Sequence, residues 1–240
     1  MHRLGGRICS TEEARAFSSE VEGEQLEDTI RIISGYTDVI VLRHSEMGGA
    51  ARAAAVSKVP IINAGDGSGG QHPTQALLDL YTIFRERRTL DGLTIAMVGE
   101  LDRGRTVRSL AYLLSKFERI KMYFVSPPEV QMKRDILDHL EEHNVWYALE
   151  TELDRVIDGV DVTYVTQIRS GRMPDQERLK KYFMNAAVLK KMKPNAMILH
   201  PLPRTLELDK ALDEDPRACY FQQATNGLYV RMALLTMVLE

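Results

Sequence analysis

Six short apolar runs constrain what this chain can fold into more than any other feature. They are Asp38-Val-Ile-Val-Leu-Arg43, Val59-Pro-Ile-Ile-Asn63, Leu93-Thr-Ile-Ala-Met-Val-Gly99, Ile120-Lys-Met-Tyr-Phe-Val-Ser126, Val162-Thr-Tyr-Val-Thr166 and Met197-Ile-Leu-His200. They are of strand length and favour β-branched and aromatic residues, and most are separated by segments of helical period such as Thr106 to Phe117 and Glu129 to Glu142. Parallel strands need a long crossover between them, so this order predicts an α/β fold on parallel sheets. Ligands of such sheets bind beyond the carboxyl ends of the strands. Arg43, Asn63, Gly99, Gln167 and His200 fall at those ends.

Between the second run and the next helical segment lies Asn63-Ala-Gly-Asp-Gly-Ser-Gly-Gly-Gln-His72-Pro-Thr-Gln75. Its four glycines permit positive φ and close approach of a small polar ligand to the main chain. His72-Pro-Thr-Gln then opens the helical run from Ala76, which puts an imidazole where free backbone N–H groups favour anions. A neutral imidazole there can donate to a carbonyl oxygen as charge develops on it. Taken alone, the same residues also fit a flexible turn and a helix-start histidine.

Two further stretches carry chemistry. Gly99-Glu-Leu-Asp-Arg-Gly104-Arg105-Thr106 has the spacing of a nucleotide phosphate loop, but Arg105 stands where that loop needs Lys. Arginine's planar fork suits a carboxylate, so a carboxylate anchor fits better than an NTPase, although Asp161 weakly imitates a magnesium-binding aspartate. His200-Pro201-Leu202-Pro203-Arg204 has two residues without N–H donors, leaving stiffened carbonyls that can accept from an amide –NH₂. The bland alternative is a rigid loop after a strand.

The chain has 240 residues, enough for one large or two small domains, and the charged stretch Phe84 to Gly92 is the joint, with the boundary near Arg88. A net charge of −3 gives no electrostatic footprint for nucleic acid, and no apolar run spans a membrane. Cys9 and Cys219 have no partner at metal-ligand spacing, and the first residues lack an apolar signal region. These features lead us to expect a cytoplasmic protein.

The glycine-rich segment resembles the signature Asn-Ala-Gly-Asp-Gly-x-x-Gln-His-Pro-Thr-Gln of aspartate carbamoyltransferases, with one extra Gly here. The resemblance continues through Met1-His-Arg-Leu-Gly-Gly6, Glu24 to Ile30, Leu42-Arg43-His44, Met97 to Leu101, Gly104-Arg105-Thr106, His200 to Arg204 and Tyr220 to Ala224. It implies two doubly wound parallel-sheet domains with the active site between them. A carbamoyl phosphate domain would span residues 1–87, completed by a C-terminal helix at 226–240, and an aspartate domain residues 88–225. It also implies transfer of a carbamoyl group from carbamoyl phosphate to the amine of L-aspartate, in pyrimidine synthesis, without metal or cofactor, by a homotrimer.

By the same resemblance, Arg43, His72 and Gln75 with the carbonyls of Leu202 and Pro203 would hold carbamoyl phosphate. Arg105, Gln167, Arg169 and Leu202 would hold aspartate. Ornithine carbamoyltransferases carry a Cys-Leu-Pro element where this chain has Pro201-Leu202-Pro203, which favours aspartate. Three departures stand out. The family's Ser-Thr-Arg-Thr phosphate motif, expected about a dozen residues before Met1, is absent from this sequence. In a loop lent to a neighbouring subunit, Ser18 matches but Glu22 occupies a lysine position, with Arg15 nearby. Thr166-Gln167-Ile168-Arg169 has its Gln and Arg exchanged relative to the family. A catalytically impaired chain that acts through subunit assembly is therefore the competing expectation.

Overall fold

The computed structural model describes residues 1–10, 25–168 and 176–240. Its strands form two separate parallel sheets, as the alternation of apolar runs and helical segments predicts. The first sheet has two strands, β1 (Ile40–Leu42) and β2 (Ile61–Asn63), joined through α2 (Gly49–Val56). It follows α1 (Leu26–Ile33), which packs on α2. The second sheet has five strands in the order β5-β4-β3-β6-β7: β3 (Thr94–Val98), β4 (Lys121–Val125), β5 (Trp146–Glu150), β6 (Val162–Val165) and β7 (Met197–Leu199). Its order reverses at β3, where the chain leaves for β4 on one side and returns to β6 on the other.

Three longer helices surround these sheets: α3 (Pro73–Arg87), α4 (Arg105–Leu114) and α5 (Arg134–Glu142). The C-terminal helix α6 (Tyr220–Leu239) returns to lie against α3, and α4 also packs on α3. The core of the larger sheet has two faces. One is built on Ile95, Met97, Leu110, Leu114, Phe124 and Tyr164, the other on Val98, Val125, Ile157, Val165, Ile198 and Tyr220. Both faces are covered, which is why its strands read as continuous apolar runs.

The structure corrects the sequence reading at four places. The strand at Trp146–Glu150 was not foreseen although Val145-Trp-Tyr-Ala-Leu149 is an apolar run; it follows closely on the helical segment ending at Glu142, and at the edge of the sheet its residues are half-buried or exposed. Helical structure from Glu129 is a single turn, Pro128–Val130, and α5 starts at Arg134. The last helix begins at Tyr220, six residues before Asn226. It runs straight through Asn226-Gly227, a common turn pair, because Asn226 is buried, donates to Thr82 Oγ1 at 3.0 Å and accepts from Arg85 at 2.9 Å. Finally, Asp161 sits at the amino end of β6, away from the phosphate-loop-like segment. There it accepts from the Thr94 amide at 3.0 Å and pairs with Lys193 at 3.0 Å and Arg87 at 3.4 Å, so it is a strand clamp and the NTPase analogy fails.

Candidate active site

The glycine-rich loop leaves β2 and is strapped down along its length. Asn63 Oδ1 accepts from the Gly65 amide at 2.7 Å, Gly65 O accepts from His44 N at 3.2 Å, and Asp66 Oδ1 accepts from Ala50 N at 3.2 Å. The Gly69 amide reaches across to Arg103 O at 3.2 Å, tying the loop to the segment after β3. Such pairing of successive backbone groups argues against a flexible turn. Gly65 has φ 124, a conformation that side chains rarely adopt. A Cβ there would lie 3.4 Å from both the Arg105 guanidinium and the His72 ring, so this glycine marks the point where the two side chains flank the main chain.

Arg105 is the first residue of α4, and its guanidinium donates to Asp66 O. His72 is the N-cap of α3, Pro73 occupies the first turn, and the His72 amide donates to Ser109 Oγ at 2.8 Å. One end of the imidazole therefore faces a cluster of cations. Burial, then the charges of Arg105, Arg43 and Arg231, push the His72 pKa down to about 4. At neutral pH the ring is uncharged and carries one N–H donor. Arg43, beyond the end of β1, is exposed and joins this group by its field. The local positive charge contrasts with the negative whole chain and suits a doubly charged anion.

Next to this cluster is a cavity of about 160 Å³ lined by Gln75, Leu78, His200, Pro201, Gln223 and Arg231, with Ala224. Gln75 and Gln223 are both buried and both donate to Asp79 Oδ1, at 2.9 and 2.6 Å. Because the Gln75 –NH₂ is committed to a carboxylate, its carbonyl oxygen is the end left for the cavity. Gln223 Oε1 in turn accepts from the His200 amide at 2.9 Å. Burial pushes the Asp79 carboxyl up to about 7, against the pull of the hydrogen bonds from Gln223 and Gln75. Burial and the facing Asp79 charge also push the Tyr164 phenol well above its ordinary range. Asp79 thus ties α3 to α6 through Gln75 and Gln223, both of which line the cavity.

The segment after β7 is built around His200. The ring accepts from the Leu202 amide through Nδ1 at 2.9 Å and faces Glu207 through Nε2 at 3.0 Å. Burial raises the Glu207 carboxyl, but bonds from His200 and from the Thr205 hydroxyl and amide outweigh it and hold the pKa at about 2. Leu202 is held at φ 49, and Leu202–Pro203 is cis. Arg204 makes a two-pronged pair with Asp213 and lies over the Tyr220 and Phe221 rings at 5.5 and 5.6 Å.

His72, Arg105 and Arg43 come together, and Gln75 lines the adjoining cavity. Leu202 and Pro203 stand just beyond His200 and Pro201, which do line it. Gln167 is spent differently from expectation: its side-chain amide donates to Pro203 O at 2.6 Å, so it positions one of the foreseen carbonyls. Arg169, Arg15, Ser18 and Glu22 lie outside the described residues. The sequence reading missed Arg231, Asp79 and Gln223. Arg231 had a signal, being the single charged residue of α6. Gly227 makes room for it, since a Cβ there would lie 2.4 Å from Arg231 Nη1. Asp79 and Gln223 looked like ordinary polar positions on helices.

Two family models match the chain: the carbamoyl-P binding domain of aspartate/ornithine carbamoyltransferase over residues 1–85, and the Asp/Orn binding domain over residues 91–238. Aspartate carbamoyltransferase 1, chloroplastic, of Pisum sativum is 52% identical over 244 residues. The match spans the whole of this chain and 63% of the relative. The aspartate carbamoyltransferase catalytic subunit of Methanocaldococcus jannaschii is 48% identical, covering 100% of this chain and 78% of that one. Among solved structures, aspartate transcarbamoylase of Trypanosoma cruzi in complex with N-(phosphonacetyl)-L-aspartic acid superposes with a TM-score of 0.93 at 39% identity, covering 100% of this chain and 77% of the other. The M. jannaschii catalytic subunit gives 0.90 at 47% identity, covering 99% and 78%.

Proposed function

The chain belongs to the aspartate carbamoyltransferase family, and we propose that it transfers the carbamoyl group of carbamoyl phosphate to the amine of L-aspartate, giving N-carbamoyl-L-aspartate and phosphate in pyrimidine synthesis. The observation that carries this reading is the neutral His72 held beside Gly65 and Arg105, within the field of Arg43 and Arg231. The T. cruzi relative has been solved with carbamoyl phosphate and aspartate bound. Carbamoyl phosphate would place its phosphate among the arginines and its carbamoyl group toward the cavity. The Gln75 carbonyl oxygen and the main-chain carbonyls of Leu202 and Pro203 accept from the carbamoyl –NH₂. Arg105 turns from Asp66 O to an aspartate carboxylate, a better partner for a guanidinium than a neutral carbonyl. Arg169 completes that clamp, while Gln167 holds the Pro203 carbonyl in place.

The reaction then needs positioning and electrostatics. The aspartate nitrogen attacks the carbamoyl carbon, and the charge that collects on the carbonyl oxygen is met by the His72 N–H and the Arg43 guanidinium. The carbon–oxygen bond to phosphate breaks, and phosphate takes up the amine proton. No enzyme-bound covalent intermediate forms. The domains are the two sheets, with a boundary near Arg88 and α6 docked on the first half through α3. We also assign the assembly as a homotrimer working in the cytoplasm. The named plant relatives are chloroplastic, and no described helix is long and apolar enough to cross a membrane.

A second reading, a chain that acts through assembly without catalysis, is favoured by the apolar side chains Ile32 and Val41, 61% and 58% exposed beside the two-stranded sheet. An assay for N-carbamoyl-L-aspartate separates the two. It compares the chain with one extended upstream by a helix bearing Ser-Thr-Arg-Thr. Activity that is weak in the first and rises by orders of magnitude in the second supports the transferase. Its absence in both, with a trimer in sedimentation, supports the assembly role.

A further inference from the structure

We propose that the carboxyl end of α5 is a binding site for one divalent transition-metal ion, zinc by preference, held by His139, Glu142 and His143. One donor atom from each of these residues lies within 4.8 Å of the others, and none belongs to the cavity or the glycine-rich loop. The two imidazoles are four residues apart on one helical face, with ring centroids 4.1 Å apart.

The hydrogen bonds around the rings decide which nitrogens remain available. His143 Nδ1 lies 2.8 Å from His139 O, and a carbonyl can only accept, so Nδ1 carries the proton and the Nε2 lone pair is free. His139 Nε2 lies 2.9 Å from Ser115 Oγ, whose hydroxyl proton is committed to Tyr112 O at 2.7 Å. Ser115 therefore accepts, His139 Nε2 carries the proton, and the Nδ1 lone pair is free. This is the arrangement of zinc-bound histidines, in which the second ring nitrogen donates to an outer partner that fixes tautomer and orientation. Tyr112 stacks on His139 at 4.3 Å and holds its plane.

The third donor is also available. Glu141 is occupied by Arg134 and the Tyr147 hydroxyl, whereas Glu142 makes no hydrogen bond or ion pair among the described residues. The last turn of a helix carries partial negative charge, which favours a cation. Two imidazoles and a carboxylate suit zinc, whose nitrogen and oxygen ligands at about 2.0–2.2 Å sit roughly 3.4 Å from each other in a tetrahedron. Closing from 4.8 Å requires swings of the exposed Glu142 and His143 side chains. Three protein donors leave one coordination position for water. The spacing His139-Leu-Glu-Glu-His143 matches a metallopeptidase motif, but none of these residues lines the cavity described above, and we assign the site to binding and stapling the α5 terminus, without hydrolytic chemistry.

The test is zinc affinity, measured by competition with a metallochromic chelator, on the parent chain and on a Cys9→Ser chain that lacks the exposed thiol. Both should bind one equivalent at this site. In the Cys9→Ser background, His143→Ala should weaken binding by at least about tenfold, Glu142→Gln by less, and Ser115→Ala by about tenfold through loss of the His139 tautomer. X-ray absorption of the zinc complex should show two imidazole shells. Equal affinity in the His143→Ala and parent chains, or a zinc environment without imidazole, would overturn the proposal. His143 and Glu142 are exposed, so those variants keep the fold.

Discussion

The two sheets of this molecule carry the residues of the candidate site between them but are built very differently. The five-stranded sheet is covered on both faces, and its central residues Ile95, Ala96, Met97 and Val98 are fully buried. The two-stranded sheet has a core centred on Ile30, Ile40 and Ala53, with Val41 open to solvent in the middle of β1. Few apolar contacts cannot offset much backbone entropy, and a two-stranded unit is marginal by itself. The first half therefore depends on its seams with the second. These are the loop strap at Gly69, the grip of Arg105 on Asp66 O, and the packing of α3 against α4 and α6. Those seams are also where the site lies, so binding and stability of the first half are one problem.

The largest expected effect is in local opening. Amide exchange of β1 and α2 should be at least about 100-fold faster than that of β3, because the smaller unit opens without global unfolding. Uniform protection across both sheets would erase the contrast. Ligand occupying the site should narrow it, since the ligand bridges the two halves.

The next effect sits at the hub between the halves. Asp79 has a folded pKa raised to about 7 from an ordinary value of 3.8. Its contribution is fully present below the unfolded pKa and is lost as pH rises through 7. Asp79→Asn should remove that loss and raise stability at pH 8 by roughly 2–4 kcal/mol relative to its effect at pH 5. Parallel pH–stability curves for the two proteins would contradict the buried, shifted carboxyl.

A smaller effect tests the cation cluster. The His72 ring, followed by NMR, should titrate near pH 4. Arg105→Ala should move this upward by about one unit, worth roughly 1.4 kcal/mol, because the removed charge opposes protonation. An unmoved His72 would separate the two side chains that Gly65 brings together. The smallest expected effect is that of Gln167→Ala, which frees the Pro203 carbonyl. With that carbonyl no longer held, carbamoyl phosphate binding should weaken by about 0.5–1.5 kcal/mol, the ordinary worth of one hydrogen bond.

Much of this was legible before any coordinates. The buried strands announce themselves as apolar runs because both faces of a parallel sheet are covered, and the strand ends named the candidate residues. The edge strand β5 was overlooked although Val145 to Leu149 is apolar, because the run is short and follows closely on a segment of helical period, and periodicity alone does not separate the two. The last helix was expected from residue 226 and starts at Tyr220; the tie that holds Asn226 inside it, to Thr82, joins residues 144 apart in sequence and has no local signal. His72 stood out at its helix entrance and Arg105 in its loop spacing, whereas Gln75 came only through the family resemblance. Asp79, Gln223 and Arg231 were missed, because their roles arise only when α6 folds back on α3.

The central claim is that Arg105, His72 and the neighbouring arginines form one site for a phosphate-bearing aspartate compound. Calorimetric titration with N-(phosphonacetyl)-L-aspartate, the ligand of the T. cruzi relative, tests it most directly. The claim predicts saturable binding with one site per chain, weakened by about 2–5 kcal/mol in Arg105→Ala, the cost of removing one partner of a buried charge pair. No binding to the chain, even when extended by the phosphate motif, or binding that ignores Arg105→Ala, would contradict it.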